Sequence, residues 1–299
     1  MKTKTKVVIG LGLYLAIAIA LLLIFGSDGK NEEFKPQNEF KLPAWIHLKV
    51  GPIDLSINRA VFYLALASVL TIVTMVWIAR KMQQRPNRTQ AAVEIAYELA
   101  KNNITGDNMP SAVATRWFPF IGTLFFFVLF SNLVGYLPLP TNTGEHFNVF
   151  GLEIPTFAVY AATANISVPL VLALIVFLAY NFEGIRVKGF RGYLKSLVPA
   201  GITGFAAVPI FILEFLSNFM RLLSLSVRLF ANILAGHLII LFMSGGLAVL
   251  LGLEVLGVFT LPFGIALFLF EVGLVATLQA FIFATLSAIY LGGAVAEHH

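Results

Sequence analysis

Residues 203–243, TGFAAVPIFILEFLSNFMRLLSLSVRLFANILAGHLIILFM, are apolar almost throughout, yet they carry Glu214, Arg221, Arg228 and His237. At about 1.5 Å per residue, roughly 40 residues of helix reach about 60 Å, twice the roughly 30 Å of a bilayer's hydrocarbon core. Such a helix has to tilt steeply or run partly along the membrane plane. Glu214, Arg221 and Arg228 recur every seventh residue, which keeps them within about 40° of one helix face. An arginine near mid-bilayer costs at least about 2.5–3.5 kcal/mol on insertion scales, so the stripe requires a functional reason.

The rest of the chain obliges this segment to be a membrane helix. Of 299 residues, 59% are hydrophobic and 12% charged. A soluble domain carries about 25% charged residues, so the sequence describes an integral membrane protein. Uninterrupted apolar runs favour helices over the alternating strands of a barrel. The net charge of +5 is no nucleic-acid signature, because the basic residues gather mainly in short loops and none follows Arg228. The chain has no cysteine, which excludes disulfides and thiolate metal sites.

Taken in order, residues 7–26 (VVIGLGLYLAIAIALLLIFG) follow three lysines and read as a retained first span or, alternatively, a secretory signal. Residues 27–58 form an external segment, part loop and part short helix, so that 1–58 stands apart from a membrane domain at 59–299. A second span at about 60–79 ends on Arg80, Lys81, Arg85 and Arg88, which marks that end as internal. Residues 89–105 have helical apolar spacing with Glu94, Glu98 and Lys101 opposite, and are expected to form a cytoplasmic amphipathic helix on the membrane surface. The third span, about 117–138, leads to an external loop at 139–154 that has no Lys or Arg. The fourth, about 156–180, returns to an internal basic cluster, Arg186, Lys188, Arg191 and Lys195. The long helix then leads outward, Gly245-Gly246 breaks it, and a last apolar stretch at about 254–292 comes back. The expected fold is all-α and polytopic, with about six hydrophobic helices.

Several polar side chains interrupt the apolar stretches. Arg228 has Ser224 and Asn232 one turn to either side, a small polar flank that admits a close neighbour and can orient a guanidinium. Arg221 lines an internal aqueous inlet or snorkels to the inner headgroups. Glu214, nearest the basic loop, is expected to be wet. His237, nine residues beyond Arg228, turns to the opposite face and either lines a separate watery route or makes a helix–helix contact. In the last helix Glu271 and Gln279 stand eight apart, about 80° round an α-helix. There they serve an ion route, or Glu271 merely seals the packing. No P-loop, H-E-x-x-H or G-x-S-x-G motif occurs, so neither nucleotide binding nor catalysis by this chain has support.

LSVRLFANILAGH, preceded by Glu214 and followed by LQAFIFATLSAIYL, resembles subunit a of the F-type ATP synthases. The resemblance extends through GIRVKGFRGYL and FSNLVGYLPLP and covers roughly residues 60–295. It implies a fold whose last two helices form a long tilted hairpin against a rotating ring of c subunits. Arg228 then matches the stator arginine that faces the ring carboxylate. Glu214, Asn232, His237 and Gln279 match polar positions of two half-channels, with Arg221 and Glu271 further candidates for the ion pathway. The implied partners are the c-ring, the peripheral-stalk b subunits and the rest of the complex, within a bacterial inner membrane; the order of spans and basic clusters, separately, puts both termini on the cytoplasmic side. The resemblance implies no cofactor and no metal. The sequence departs from the family in the Glu271–Gln279 interval, where seven is common, and in Gly135, where an acid is frequent. A stand-alone ion channel or secondary transporter gated by an arginine is the competing class. A voltage sensor would need more closely repeated arginines, and an inverted-repeat transporter would show two related halves.

Overall fold

The computed structural model describes residues 12–14, 16, 19–20, 42–51, 53–54, 56–83, 85–149, 152–198, 202, 204–243 and 254–296. The expected span at 7–26 lies largely outside these residues, and the Gly245-Gly246 break lies wholly outside them. Among the described residues five helices are long and apolar enough to cross a membrane, and the chain is an all-α polytopic membrane protein.

Local chemistry sets where these helices begin. Helix α1 (Arg59–Lys81) starts where Asn58 accepts a hydrogen bond from the Val61 N–H at 3.1 Å. Asn87 does the same for α2 (Arg88–Glu98), accepting from the Gln90 N–H at 2.8 Å. Each side chain satisfies a backbone donor that the first turn leaves without an intrahelical partner. Helix α2 runs on into a π-helical segment, Leu99–Gly106, so the helix expected at 89–105 forms. It buries Gln90, Ala100, Ile104 and Thr105.

Boundaries of the next spans differ from the hydropathy reading. Helix α3 (Ser111–Gly135) begins directly after Pro110, earlier than 117, and Gly135 ends it before Pro138. The loop expected at 139–154 is largely strand: β5 (Leu139–Val149) and β6 (Leu152–Ala158) pair with each other. Helix α4 (Ser167–Lys188) therefore starts eleven residues after 156. Asn165 Oδ1 accepts from the Ser167 N–H at 3.1 Å, and Pro169 falls in the first turn, where a missing N–H costs little. At its other end α4 continues beyond 180 to Lys188, so Glu183 and Arg186 lie on the helix rather than in a loop. Gly189 separates it from α5 (Phe190–Ser196).

The short helix expected within 27–58 is absent from the described part of that segment. Four short strands occur instead: β1 (Ala44–Ile46), β2 (Lys49–Val50), β3 (Ile53–Asp54) and β4 (Ile57–Asn58). Strand β1 pairs with β4 and β2 with β3, both antiparallel. Pro43, Gly51 and Pro52 oppose a helix there, and Val50, Ile53 and Ile57 favour extended backbone.

Helix α6 (Ala207–Leu241) takes in all four polar residues of the long apolar stretch. Its 35 residues correspond to about 53 Å of helix, too long to stand upright in a bilayer core. The last stretch is α7 (Glu254–Phe270), a π-helical turn (Glu271–Val275) and α8 (Ala276–Val295).

The chain forms two compact units. One comprises Met1–Pro43, Pro140–Ala158 and Ala235–Leu274; the other comprises Ala44–Leu139, Val159–Leu234 and Val275–His299. The second unit has a core in which α8 packs against α3 and α4. Ala276, Ala280, Ala284 and Ala288 recur every fourth residue of α8 and are fully buried. In a membrane, where lipid is as apolar as leucine, such small residues let backbones approach and drive helix association by contact. Against them lie Ile121, Phe125 and Val128 of α3 and Val176 of α4, with Leu225, Leu229 and Ile233 of α6 completing the cluster. One polar clamp crosses this core. The buried Asn132 donates from Nδ2 to the Ala276 carbonyl at 3.1 Å, and Thr163 Oγ1 donates to Asn132 Oδ1 at 2.9 Å. Both ends of the Asn132 amide are thereby satisfied, as burial requires.

Candidate functional site

In the larger unit, α6 presents two unlike faces. Leu222, Leu225, Ser226, Leu229 and Ile233 are buried. Arg221, Ser224, Val227, Arg228, Ala231 and Asn232 are exposed. Every third or fourth position of the exposed face is small or polar, and Arg228 stands within it. Arg228 also lines a shallow crevice with Leu225, Leu229, Gln279, Ile282 and Phe283. The crevice thus brings together two residues singled out from the sequence, Arg228 of α6 and Gln279 of α8.

Arg221, seven residues earlier, lies with its guanidinium carbon 5.6 Å from the centroid of the Tyr290 ring, a cation–π arrangement. Near it a hydrogen-bonded group joins three helices. Tyr180 of α4 donates to Asn218 Oδ1 of α6 at 2.6 Å, Asn218 Nδ2 donates to Asn181 Oδ1 at 3.2 Å, and Tyr193 of α5 donates to the same oxygen at 2.7 Å. Burial raises the Tyr193 phenol above its usual range, opposed by its Asn218 and Arg221 neighbours. Sequence reasoning passed over Asn218. An asparagine three residues before Arg221 on an apolar helix was the available signal. Glu214, expected to be wet, is half-buried.

The smaller unit holds a second polar locus. His237 and Glu271 are both buried, 6% and 9% exposed. The Glu271 carboxylate lies against the Gly236 backbone, in the space that a β-carbon at 236 would occupy. Glycine is required here by close approach, not by backbone conformation. Glu271 also opens the π-helical turn, so the 80° angle to Gln279, which presumes an unbroken α-helix, does not describe this backbone.

Another departure finds a packing reason. A β-carbon on Gly135 would run into Ala161, leaving no room for an acidic side chain at that position. Among the described residues, no three His, Cys, Asp or Glu side chains are grouped to hold a metal ion.

Long apolar helices that carry an exposed arginine beside a buried glutamine, with a buried histidine and glutamate elsewhere, define a polytopic membrane protein with charged and polar groups on its membrane-length helices. The family model described as ATP synthase A chain matches residues 61–292, and the chain belongs to that family. It is 36% identical over 251 residues to ATP synthase subunit a of Rubrobacter xylanophilus, covering 83% of this chain and 88% of the relative. The subunit a of Paramagnetospirillum magneticum is 34% identical over 265 residues, covering 88% and 99%. That of Pelagibacter ubique is 32% identical over 265 residues, covering 88% and 98%.

Proposed function

We propose that the chain is the stator subunit a of an F-type ATP synthase in a bacterial cell membrane, conducting protons through two offset aqueous half-channels to and from the carboxylates of a rotating c-ring. The observation that supports this most is Arg228, exposed on a spanning helix among small residues. A guanidinium facing lipid at that depth is costly, and a moving carboxylate on a closely approaching helix is the partner that removes the cost. A membrane potential supplies about 2.3 kcal/mol per charge per 100 mV. That free energy becomes rotation only if protons cannot pass straight through. Arg228 favours the ionised form of each carboxylate that reaches it, so the proton leaves to one half-channel before the carboxylate passes. Its fixed charge also repels cations moving directly between the channels. His237 and Glu271 serve the outer route together with Gln279. Glu214, Arg221 and Asn232 serve the inner one. The chain binds no nucleotide and is not an enzyme by itself. Its partners are the c-ring, the peripheral-stalk b subunits and the remaining ATP synthase.

Gentle solubilisation and affinity purification of the tagged chain test this reading. A c-ring and peripheral stalk should co-purify; a lone oligomer that conducts ions in liposomes would support an arginine-gated channel instead.

The membrane orientation gives a separate prediction. Clusters at 80–88 and 186–195 carry four basic residues each, whereas 139–154 has none, and this asymmetry supports a cytoplasmic side for the clusters and for both termini. Cysteines introduced by Arg191→Cys and Asn142→Cys should react with a membrane-impermeant maleimide from opposite sides of sealed vesicles. Labelling of both from one side contradicts the orientation.

A further inference from the structure

Away from Arg228 and the polar groups of the proposed ion route, one buried carboxylate holds two arginines. Glu183 of α4 accepts from Arg116 Nη1 of α3 on Oε1 and from Arg186 Nη1 on Oε2, each at 3.3 Å. Its side chain is 3% exposed, whereas those of Arg116 and Arg186 are 49% and 47% exposed. A single carboxylate neutralises one guanidinium, so the trio keeps one positive charge. Each guanidinium has five N–H donors and gives one to Glu183, so the carboxylate leaves the others on both arginines for a further acceptor. Arg116 is near the start of one spanning helix and Arg186 near the end of another, which sets the pair at a headgroup-level end of the bundle.

We propose that Arg116 and Arg186 form a binding site for the phosphate of an anionic phospholipid, with Glu183 as the positioning residue that holds both guanidiniums. Basic pockets between membrane helices suit anionic headgroups, and the planar guanidinium matches phosphate oxygens in bidentate fashion. The location favours a lipid over a free anion, because the exposed neighbours Phe182 (62%) and Val187 (52%) on the same helix offer the acyl chains an apolar flank. Burial of Glu183 keeps both forks in place before the ligand arrives, so little side-chain freedom remains to be lost on binding. The site is independent of the ion route: its failure leaves the role of Arg228 untouched, and the reverse also holds.

Native mass spectrometry of the full-length chain in detergent micelles tests the site, with phosphatidylglycerol, phosphatidylcholine or inorganic phosphate added. Removing only the arginines would strand a buried carboxylate, so the variant is the triple Arg116→Gln, Glu183→Gln, Arg186→Gln, which lowers the net charge by one and leaves no buried charge uncompensated. Arg191→Gln, which removes one charge from the neighbouring basic cluster, is the matched control. Wild type and Arg191→Gln should each retain one phosphatidylglycerol at collision energies that strip phosphatidylcholine. In the triple variant the fraction carrying that lipid should fall at least about tenfold. The proposal is overturned if the triple variant keeps the lipid, or if Arg191→Gln loses it equally, because a general positive field is then responsible. Equal retention of phosphatidylcholine overturns it too, as does displacement of the lipid by millimolar inorganic phosphate.

Discussion

Membranes carrying Arg228→Ala are expected to make no ATP from a proton gradient, while the complex assembles at normal subunit content. Assembly survives because Arg228 is exposed and packs no core: truncating it opens no cavity, whereas the buried face of α6 (Leu225, Leu229, Ile233) is unaltered. Coupling fails because, in the proposed mechanism, nothing else strips the proton from a ring carboxylate between the two half-channels. The neutral variant should also leak, since a carboxylate that stays protonated past residue 228 carries its proton the short way across. Arg228→Lys should restore little, because a compact ammonium does not reproduce a planar fork shared with a moving carboxylate. Parallel measurement of gradient-driven synthesis and passive proton conductance separates the outcomes. Near-normal synthesis by Arg228→Ala removes the central assignment; lost synthesis with unchanged conductance keeps the need for the charge but not the gating argument.

How much of this was legible without coordinates depends on the kind of signal. Long apolar runs and Lys/Arg clusters mark helices strongly, because a bilayer core tolerates neither exposed backbone nor many charges. Hence α1, α3, α6 and the last helix appear near their expected places. Hydropathy does not record hydrogen bonding, and so it misread the strands β5 and β6 and the start of α4. The segment 156–166 is apolar enough to read as helix, yet a strand, a 3-10 turn and an Asn165 side chain bonded to the Ser167 N–H occupy it. The seven-residue spacing on α6 puts Arg221 and Arg228 on one face, and both are exposed. The same arithmetic failed beyond Glu271, where a π-helical turn changes the count per turn. Pair partners were beyond reach altogether. Nothing in the sequence says that Glu183 meets Arg116, 67 positions away, or that Gly236 abuts Glu271.

That last contact yields the second large effect. Gly236→Val is expected to lower gradient-driven ATP synthesis at least about tenfold, an activation cost of roughly 1.4 kcal/mol or more. A β-carbon at 236 falls on the Glu271 carboxylate, which is buried and has little free space to retreat into. The acid must then turn out of its site or push α7 away, and either change takes it from the position proposed for the outer proton route. Gly236→Ala, with one methyl group, should show a smaller loss of the same kind. Shortening the acid tests whether the loss is steric: Glu271→Asp withdraws the carboxylate by one methylene and makes room for the new β-carbon. The double variant Gly236→Ala, Glu271→Asp should therefore be more active than the product of the two single effects, with a coupling within about 0.5–3 kcal/mol. Strictly multiplicative losses mean that the two positions act independently and that the close approach has no part in proton transfer. Full activity of Gly236→Val means that the position of Glu271 does not matter to the route.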